Sequence, residues 1–283
     1  MPSSWTNIHG IDAAIAEAIK QDNYELVGDI SVTGLLRPPQ MAALELAHAD
    51  EITQDVSEGL WRLLGQAMHY IVSRAEIAGS IAEHRLSTEV LGWVVSGQFD
   101  RYYDTNTIVD FKVTSVWAYI FGGRVDWQAQ LNLYAYLAEL NRYPVDKLKI
   151  VLLLRDWNKR QAKENPSWPD HPFAEIEVEK WPSDFTQSFL EERVTLHQAA
   201  REGIYSDCTA EERWAKPDTW AVVKRGAKRA YRVFESKFKA NELHSQLSGY
   251  DVVYRPGENV RCAAYCPVRQ WCAQADALGV PRE

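Results

Sequence analysis

The sequence lacks any apolar run that approaches the ~18 residues needed to span a bilayer, and its first ten residues show no basic-then-apolar signal. We therefore expect an intracellular, cytoplasmic protein with no membrane partner. Cysteine is scarce, with 4 residues among 283, which excludes a disulfide scaffold. A basic excess is also missing, since 31 Lys and Arg face 39 Asp and Glu for a net charge of −8. That balance argues against non-specific coating of nucleic acid but leaves room for a local basic groove.

The rest of the composition is that of an ordinary globular protein, 46% hydrophobic and 25% charged. Helical and strand patterns alternate in an order typical of an α/β fold with a mixed sheet. We expect helices near 11–19, 52–71, 126–140 and 182–201, and strands over 89–101, 107–113, 149–155 and 174–178. Gly97 is predicted to mark a turn or bulge inside its strand.

Two acidic residues and a lysine stand on consecutive predicted strands. Side chains alternate along a strand, so Asp110 and Lys112 share one face while Val109 and Phe111 anchor the other. A hairpin would bring Asp100 alongside Asp110. Two close carboxylates repel unless a cation lies between them, and a nearby lysine suits the orientation of a water and the stabilisation of charge on a phosphate. A salt-bridged surface hairpin is the alternative, and for Asp-X-Lys alone it is the better interpretation because the tripeptide is common.

Three further residues favour a site at this hairpin. Gln130 and Tyr134 are spaced i, i+4 on the next helix, so they share a face and could together meet a backbone phosphate. His69 lies opposite an apolar stripe of its own helix that contains Leu60 and Leu64, so it is not a simple core histidine. A solvated helix face is the alternative for His69.

These motifs together resemble the PD-(D/E)XK nuclease superfamily in its RecB-like branch. The pattern is a helical histidine, Gly-X-X-Asp at 97–100, Asp-X-Lys at 110–112 and Gln-X-X-X-Tyr at 130–134, and the resemblance covers about residues 31–136. The branch includes helicase-linked nuclease domains, CRISPR-adaptation exonucleases and phage exonucleases. The resemblance implies a restriction-endonuclease-like α/β core, with a central mixed sheet flanked by helices, that uses Mg²⁺ or Mn²⁺.

The resemblance also implies a role for each motif residue. The implied metal ligands are His69, Asp100, Asp110 and the backbone carbonyl of Phe111. Lys112 is the implied catalytic lysine, together with Asp100 and Asp110. Gln130 and Tyr134 are implied to line the DNA groove. Glu83 and Glu89 precede Asp100 and could add a carboxylate, but we expect both to remain surface charges.

Three cysteines lie close together near the end of the chain, at Cys262, Cys266 and Cys272, and Cys208 lies well upstream. Three close thiolates and one distant thiolate can make a four-coordinate soft-metal site, which spacing alone assigns to neither zinc nor an iron–sulfur cluster. The alternative, four unrelated buried cysteines, fits the tight triplet poorly. RecB-like nucleases with a [4Fe–4S] cluster carry a similar C-terminal triplet and one cysteine before the core, a position without cysteine in this chain. We expect a structural [4Fe–4S] cluster ahead of Zn²⁺.

A basic segment lies between Cys208 and the triplet. Its charged residues surround a predicted turn at Arg225–Gly226; they are Lys224, Arg225, Lys228, Arg229 and Arg232. We expect them to contact the DNA backbone, and a solvated hairpin is an equally weighted alternative. The chain is thus expected to divide into a lead-in over 1–50, a nuclease core over 51–203, and a basic hairpin with a four-cysteine metal module over 204–283.

The function expected from these features is that of a metal-dependent DNA nuclease, an exonuclease or single-strand nuclease acting in DNA end processing. The resemblance implies a role in recombination, repair or replication, with recombination or CRISPR-adaptation proteins as partners, and the host cytoplasm if the chain is phage-encoded. A non-catalytic DNA-binding or assembly subunit is the alternative, against which the intact Asp100, Asp110 and Lys112 set argues. A weaker alternative is an accidental Asp-X-Lys beside a zinc ribbon that binds proteins.

Overall fold

The computed structural model describes residues 4–21, 26–123 and 125–281. Across these residues, no helix combines the length and the apolar character that crossing a membrane requires.

The chain forms two compact units. The first combines Met1–Arg37 with Ala49–Ile204, and the second combines Pro38–His48 with Tyr205–Glu283. The three consecutive segments expected from the sequence differ from this division, because residues 38–48 group with the C-terminal unit rather than with a lead-in.

The first unit is built around a mixed sheet. Its strands, in chain order, are β1 (Ser4–Thr6), β2 (Ile30–Ser31), β3 (Thr53–Asp55), β4 (Ser80–Val90), β5 (Trp93–Tyr103), β6 (Thr107–Thr114), β7 (Lys147–Leu154) and β8 (Phe173–Val178). Six of them form one sheet in the order β2-β5-β6-β7-β8, with β4 paired to β5, while β1 pairs with β3. β6 runs antiparallel to β5 but parallel to β7.

Helices of the first unit flank this sheet. They are α1 (Ala13–Lys20), α2 (Val32–Leu35), α4 (Leu60–Ser73), α5 (Val116–Ile120), α6 (Val125–Leu140), α7 (Lys159–Glu164) and α8 (Ser183–Arg201), while α3 (Pro39–Ala47) belongs to the second unit. Side chains of α6 and of the buried face of β7 form the centre of the core, among them Leu131, Leu137, Ile150 and Leu152. The mixed sheet with flanking helices confirms the predicted α/β class.

The predicted strand over 89–101 is in fact the end of one strand and most of the next. β4 and β5 form a hairpin that turns at Leu91 and Gly92, both with positive φ. Gly97 lies inside β5 rather than at a turn or bulge, so that prediction is wrong. A Cβ at Gly97 would lie 2.8 Å from Leu137 Cδ1 and 2.9 Å from Tyr134 Cδ1. Glycine at this position therefore allows α6 to pack closely on β5.

The apolar stripe of α4 faces solvent, contrary to the orientation assumed from the sequence. Leu64 is 42% exposed and Ile71 is 68% exposed, while Met68 is buried. α4 packs against β5 and β6 through the side that carries Met68 and His69. His69 lies on the side of α4 opposite the apolar stripe, and since the stripe faces solvent, His69 faces the sheet.

The second unit contains α3 and the C-terminal elements. These are β9 (Ala215–Lys216), β10 (Thr219–Lys224), β11 (Ala230–Phe234), α9 (Lys237–Ser245), β12 (Tyr250–Arg255), β13 (Glu258–Asn259), α10 (Val260–Ala264) and α11 (Ala273–Ala277). β10 is the middle strand of an antiparallel sheet with β11 and β12, against which α9 packs. Ala221 and Val222 of β10 and Ala240 of α9 are fully buried and form the core of this sheet.

Candidate active site

The predicted hairpin of β5 and β6 is confirmed, and it places two carboxylates at the point where the strands separate. The strands pair from Tyr103↔Thr107 to Arg101↔Val109, where the ladder ends. Beyond this pair, the Phe111 N–H donates to Asp100 Oδ2 at 2.7 Å. The Asp100 side chain thus replaces the next backbone hydrogen bond between the strands. This contact fixes the Asp100 carboxylate beside Asp110.

His69, Glu83 and Asp100 form one compact group on three different elements. His69 Nδ1 lies 3.3 Å from Asp100 Oδ1 and 3.7 Å from Glu83 Oε1. Within the described residues, this is the one group of three His, Cys, Asp or Glu side chains whose ligand atoms all lie within 4.8 Å of one another. Hydrogen bonds to Asp100 and Glu83 raise the pKa of His69 to about 10. The local potential is therefore negative, which favours a cation.

Glu83 was expected to remain a surface charge, and that expectation is wrong. On either side of it, Ala82 pairs with Arg101 and His84 with Phe99, so Glu83 stands opposite Asp100. Its φ of 49° lies in the left-handed region that non-glycine residues rarely adopt. The register between β4 and β5 identifies Glu83 as a neighbour of Asp100. If residues 89–101 are taken as a single strand, the β4–β5 hairpin and its register are missed.

Two hydrogen bonds in series hold the second carboxylate oxygen of Glu83. Gln98 Nε2 donates to Glu83 Oε2, and Arg85 Nη2 donates to Gln98 Oε1 at 2.9 Å. One oxygen of Glu83 is thereby turned towards Gln98 and the other towards His69.

Asp110 and Lys112 form an ion pair next to this group, in which Asp110 is buried and Lys112 is partly exposed. Lys112 Nζ lies 3.0 Å from Asp110 Oδ1 and 2.9 Å from Oδ2, and only the first contact has the geometry of a hydrogen bond. Asp110 is 1% exposed, and burial raises its pKa, as does the charge of Asp100, although Lys112 opposes the shift. Asp110 is outside the group of three, so the structure brings together two of the three predicted side-chain ligands and adds Glu83.

Gln130 and Tyr134 extend the chain of contacts from Lys112. Lys112 Nζ donates to Gln130 Oε1 at 3.1 Å, and Gln130 Nε2 donates to the Tyr134 hydroxyl at 2.9 Å. Tyr134 is buried under β5, in contact range of the Gly97 position. The predicted pair therefore shares one face of α6, but the burial of Tyr134 suits it to hold Gln130 rather than to contact a phosphate.

All four cysteines line one cavity of the second unit, together with residues of α3 such as Gln40 and Met41. They form no disulfide. Burial, with smaller effects from neighbouring acidic and thiol groups, raises the pKa of Cys208 to about 12, and burial also raises those of Cys262 and Cys266.

The basic residues expected to contact DNA surround the loop between β10 and β11. Lys224, Arg225, Lys228 and Arg229 are all exposed. Arg225 Nε lies 3.1 Å from Asp251 Oδ1, so part of its charge is neutralised locally. The connection is a five-residue loop containing Gly226, with positive φ, rather than a two-residue turn.

A mixed sheet presents carboxylates and a lysine from adjacent strands, beside a helical histidine, and the His69, Glu83 and Asp100 side chains of this arrangement could hold a metal ion. The family model of the PD-(D/E)XK nuclease superfamily matches residues 35–273. The chain belongs to this superfamily.

Solved structures show weaker similarity. The protein SSO0001 is 16% identical, with 65% of this chain and 85% of that chain covered and a TM-score of 0.44. A Eubacterium rectale protein that carries the name putative exonuclease is 12% identical, with 53% and 54% covered and a TM-score of 0.32. Among curated proteins, none is similar enough in sequence to match.

Proposed function

We propose that this chain is a divalent-cation-dependent deoxyribonuclease that hydrolyses phosphodiester bonds at DNA ends or in single strands. The observation that carries the proposal is the position of the His69, Glu83 and Asp100 group next to the ion pair of Asp110 and Lys112. Membership of a nuclease superfamily supports the same reaction class. Fold alone would not, because one fold hosts many functions.

The donor set fits Mg²⁺ or Mn²⁺. Carboxylate oxygens are the ligands of both ions, and an imidazole nitrogen makes Mn²⁺ the more acceptable of the two. Asp110 Oδ2 is buried without a well-oriented hydrogen bond, which leaves one carboxylate oxygen with unused acceptor capacity. We assign His69, Asp100, Asp110 and Glu83 as the side chains that would hold the ion, with the Phe111 carbonyl as a further oxygen.

A bound divalent ion would polarise the phosphoryl oxygen and lower the pKa of a water. The residues of the chain supply the remaining requirements of hydrolysis. Lys112 holds a positive charge beside the carboxylates, where it orients a water and stabilises negative charge developing on the phosphate. Gln130 fixes the Lys112 amine from the other side, and Tyr134 fixes Gln130. The amine therefore needs little reorganisation when a phosphate arrives.

The exposed basic loop of the second unit is the proposed contact for the DNA backbone. Lys224, Lys228 and Arg229 are solvent-exposed and can neutralise phosphates in a chain of net charge −8. Arg225 forms an ion pair with Asp251, so it is expected to contribute less to DNA binding.

The four cysteines are the proposed ligands of a structural [4Fe–4S] cluster, with Zn²⁺ as the alternative. Zinc and iron–sulfur clusters both use four cysteine thiolates, and the resemblance of the C-terminal triplet to that of RecB-like nucleases is what places the cluster first. Thiols with raised pKa values ionise only when a metal compensates the charge, so metal binding and the stability of this unit should be coupled. Metal analysis and visible absorption of protein purified without oxygen distinguish iron from zinc.

The biological setting proposed from the resemblance is DNA end processing in recombination, repair or replication, in a phage or beside CRISPR-adaptation proteins. The experiment that tests the enzymatic proposal compares end-labelled linear and circular DNA, single- and double-stranded, with Mg²⁺, Mn²⁺ or EDTA. Metal-dependent loss of linear substrates alone supports an exonuclease, and cleavage of circles supports an endonuclease. A folded, metal-loaded protein that cleaves none of them contradicts the proposal.

A further inference from the structure

Two loops leave the sheet side by side just beyond Lys112. β6 and β7 are parallel and pair in register as far as Thr114↔Leu154, so both end at the same edge. Arg155 N–H donates to the Thr114 carbonyl at 2.9 Å. The Asp156 carboxylate accepts a hydrogen bond from the Val116 N–H at 2.7 Å, which fixes the start of α5. Residues that follow either strand are therefore held next to the proposed active site.

A stacked arginine and tryptophan occupy one side of this edge. The Arg155 guanidinium lies 4.1 Å from the centre of the Trp61 ring. Arg155 is exposed and Trp61 is 62% exposed, so both remain available to a ligand. Trp61 precedes His69 by eight residues on α4, which places it about 12 Å along the helix from the proposed metal ligand.

A second aromatic pair follows β6 directly. Trp117 and Phe121 of the α5 segment stack with ring centres 5.9 Å apart, and Phe121 is 76% exposed. Trp168 packs edge-on against Trp117 and supports the pair from the core side. This segment connects the strand that carries Lys112 to the helix that carries Gln130.

Exposed aromatic rings beside an arginine fit one ligand chemistry in particular. Unpaired bases stack on aromatic side chains without regard to sequence, and arginine adds both stacking and a phosphate contact. In a duplex, the base faces are covered by neighbouring base pairs and are not available to such a surface. An aliphatic protein-docking patch would not need a guanidinium 4.1 Å from the centre of an indole ring.

We propose that Trp61, Arg155, Trp117 and Phe121 form a stacking platform for unpaired nucleotides of the strand that enters the active site. The proposal deepens the nuclease function and rests on it, because it specifies the substrate as single-stranded nucleic acid or the frayed end of a duplex. The platform is a binding surface, separate from the residues that hold the ion or Lys112.

The test measures binding without cleavage. In EDTA, fluorescence anisotropy compares a labelled oligothymidine with a blunt duplex of equal length, for wild type, the Trp61→Leu and Trp117→Leu double variant, and Phe121→Leu. Phe185→Leu is the matched control, since Phe185 is an exposed aromatic residue of α8 that packs against Trp181. We expect the double variant to lose at least tenfold in single-strand affinity, Phe121→Leu several-fold, and Phe185→Leu less than twofold, with duplex affinity within twofold throughout.

A second measurement separates the platform from the chemistry. Hydrolysis of bis(p-nitrophenyl) phosphate with Mn²⁺ needs no base stacking, so the platform variants should retain the wild-type rate. If wild type cleaves this ester or DNA while the platform variants bind single strands as tightly as wild type, the platform proposal is overturned and the nuclease function stands. Equal losses for single strands and duplex would also overturn it. If wild type cleaves nothing with any divalent ion, the nuclease function fails, whereas the binding comparison still decides the platform.

Discussion

Asp100 accepts a hydrogen bond from the Phe111 backbone N–H at 2.7 Å, across two strands that stop pairing at Arg101 and Val109. The other oxygen of the same carboxylate lies 3.3 Å from His69 Nδ1. One side chain thus fastens the diverging strands and contributes to the candidate metal site. This dual use means that charge and hydrogen bonding at Asp100 can be tested separately.

Replacing Asp100 should separate the two roles. Asp100→Asn keeps an acceptor for the Phe111 N–H but removes the charge, so we expect a melting temperature close to wild type and at least tenfold weaker Mn²⁺ binding by calorimetry. Asp100→Ala removes both and leaves a part-buried donor unpaired, at a cost of about 1–3 kcal/mol in unfolding free energy. Wild-type Mn²⁺ affinity in a folded Asp100→Asn protein would remove Asp100 from the metal site.

Glu83 should matter to cation binding although the sequence gives no reason to choose it over Glu89. Glu83→Gln removes a carboxylate 3.7 Å from His69 Nδ1, so we expect Mn²⁺ affinity to fall by about tenfold or more. Glu89→Gln is the matched control on the same strand, since Glu89 is exposed. Calorimetric titration of both variants decides the point: equal affinities would show that Glu83 is only a neighbour of the site.

Two glycines should respond to alanine with opposite signs. A Cβ at Gly97 would lie within 3 Å of Leu137 and Tyr134 side chains, so Gly97→Ala overpacks the contact of α6 with β5 and should cost about 1–3 kcal/mol. Gly65 lies inside α4 with open space around it, so Gly65→Ala should stabilise by about 0.5–1 kcal/mol. Urea unfolding measures both, and a neutral Gly97→Ala would contradict the close packing that positions Tyr134.

His197 should make stability depend on pH. Burial lowers its pKa to about 4. The Nε2–H donates to the Leu35 carbonyl at 3.1 Å and opposes this shift, while the charge of Arg193 adds to it. Because the unfolded state takes up a proton near pH 6.5 and the folded state does not, this contribution is present above pH 6.5 and is lost as the pH falls towards 4. Between pH 7.5 and 5, wild type should lose about 2 kcal/mol more than His197→Gln in urea unfolding. Identical losses would show that His197 is protonated in the folded state.

The sequence predicts the fold class and the β5–β6 hairpin because alternation and turn residues are local signals. Asp100 and Asp110 could be placed together because a hairpin register follows from a short turn. Glu83 could not be placed in the same way, since its position depends on the pairing of β4 with β5. The turn of that hairpin, at Leu91 and Gly92, falls inside the stretch predicted to be one strand.

Other differences arise where tertiary packing overrides a periodic pattern. The stripe of α4 that contains Leu64 has the spacing of a buried face, yet the helix packs through Met68 and His69. Gly97 looks like a turn residue but serves the approach of Tyr134 and Leu137, which lie some 40 residues further along the chain. Close approaches of this kind involve distant segments, so no local window reveals them.

The central claim is that Lys112, held between Asp110 and Gln130, completes a cation-dependent phosphodiesterase site. The most direct measurement compares DNA cleavage by wild type, Lys112→Ala and Lys149→Ala with Mg²⁺, Mn²⁺ and EDTA. Lys149 is a suitable control because it pairs with Glu175 on the neighbouring strand, with Nζ 2.8 Å from Oε2. The account predicts metal-dependent cleavage by wild type and Lys149→Ala and a loss of at least 100-fold in Lys112→Ala, as expected on removal of one group that stabilises the transition state. Undiminished cleavage by folded Lys112→Ala, or no cleavage by wild type with any divalent ion, would contradict it.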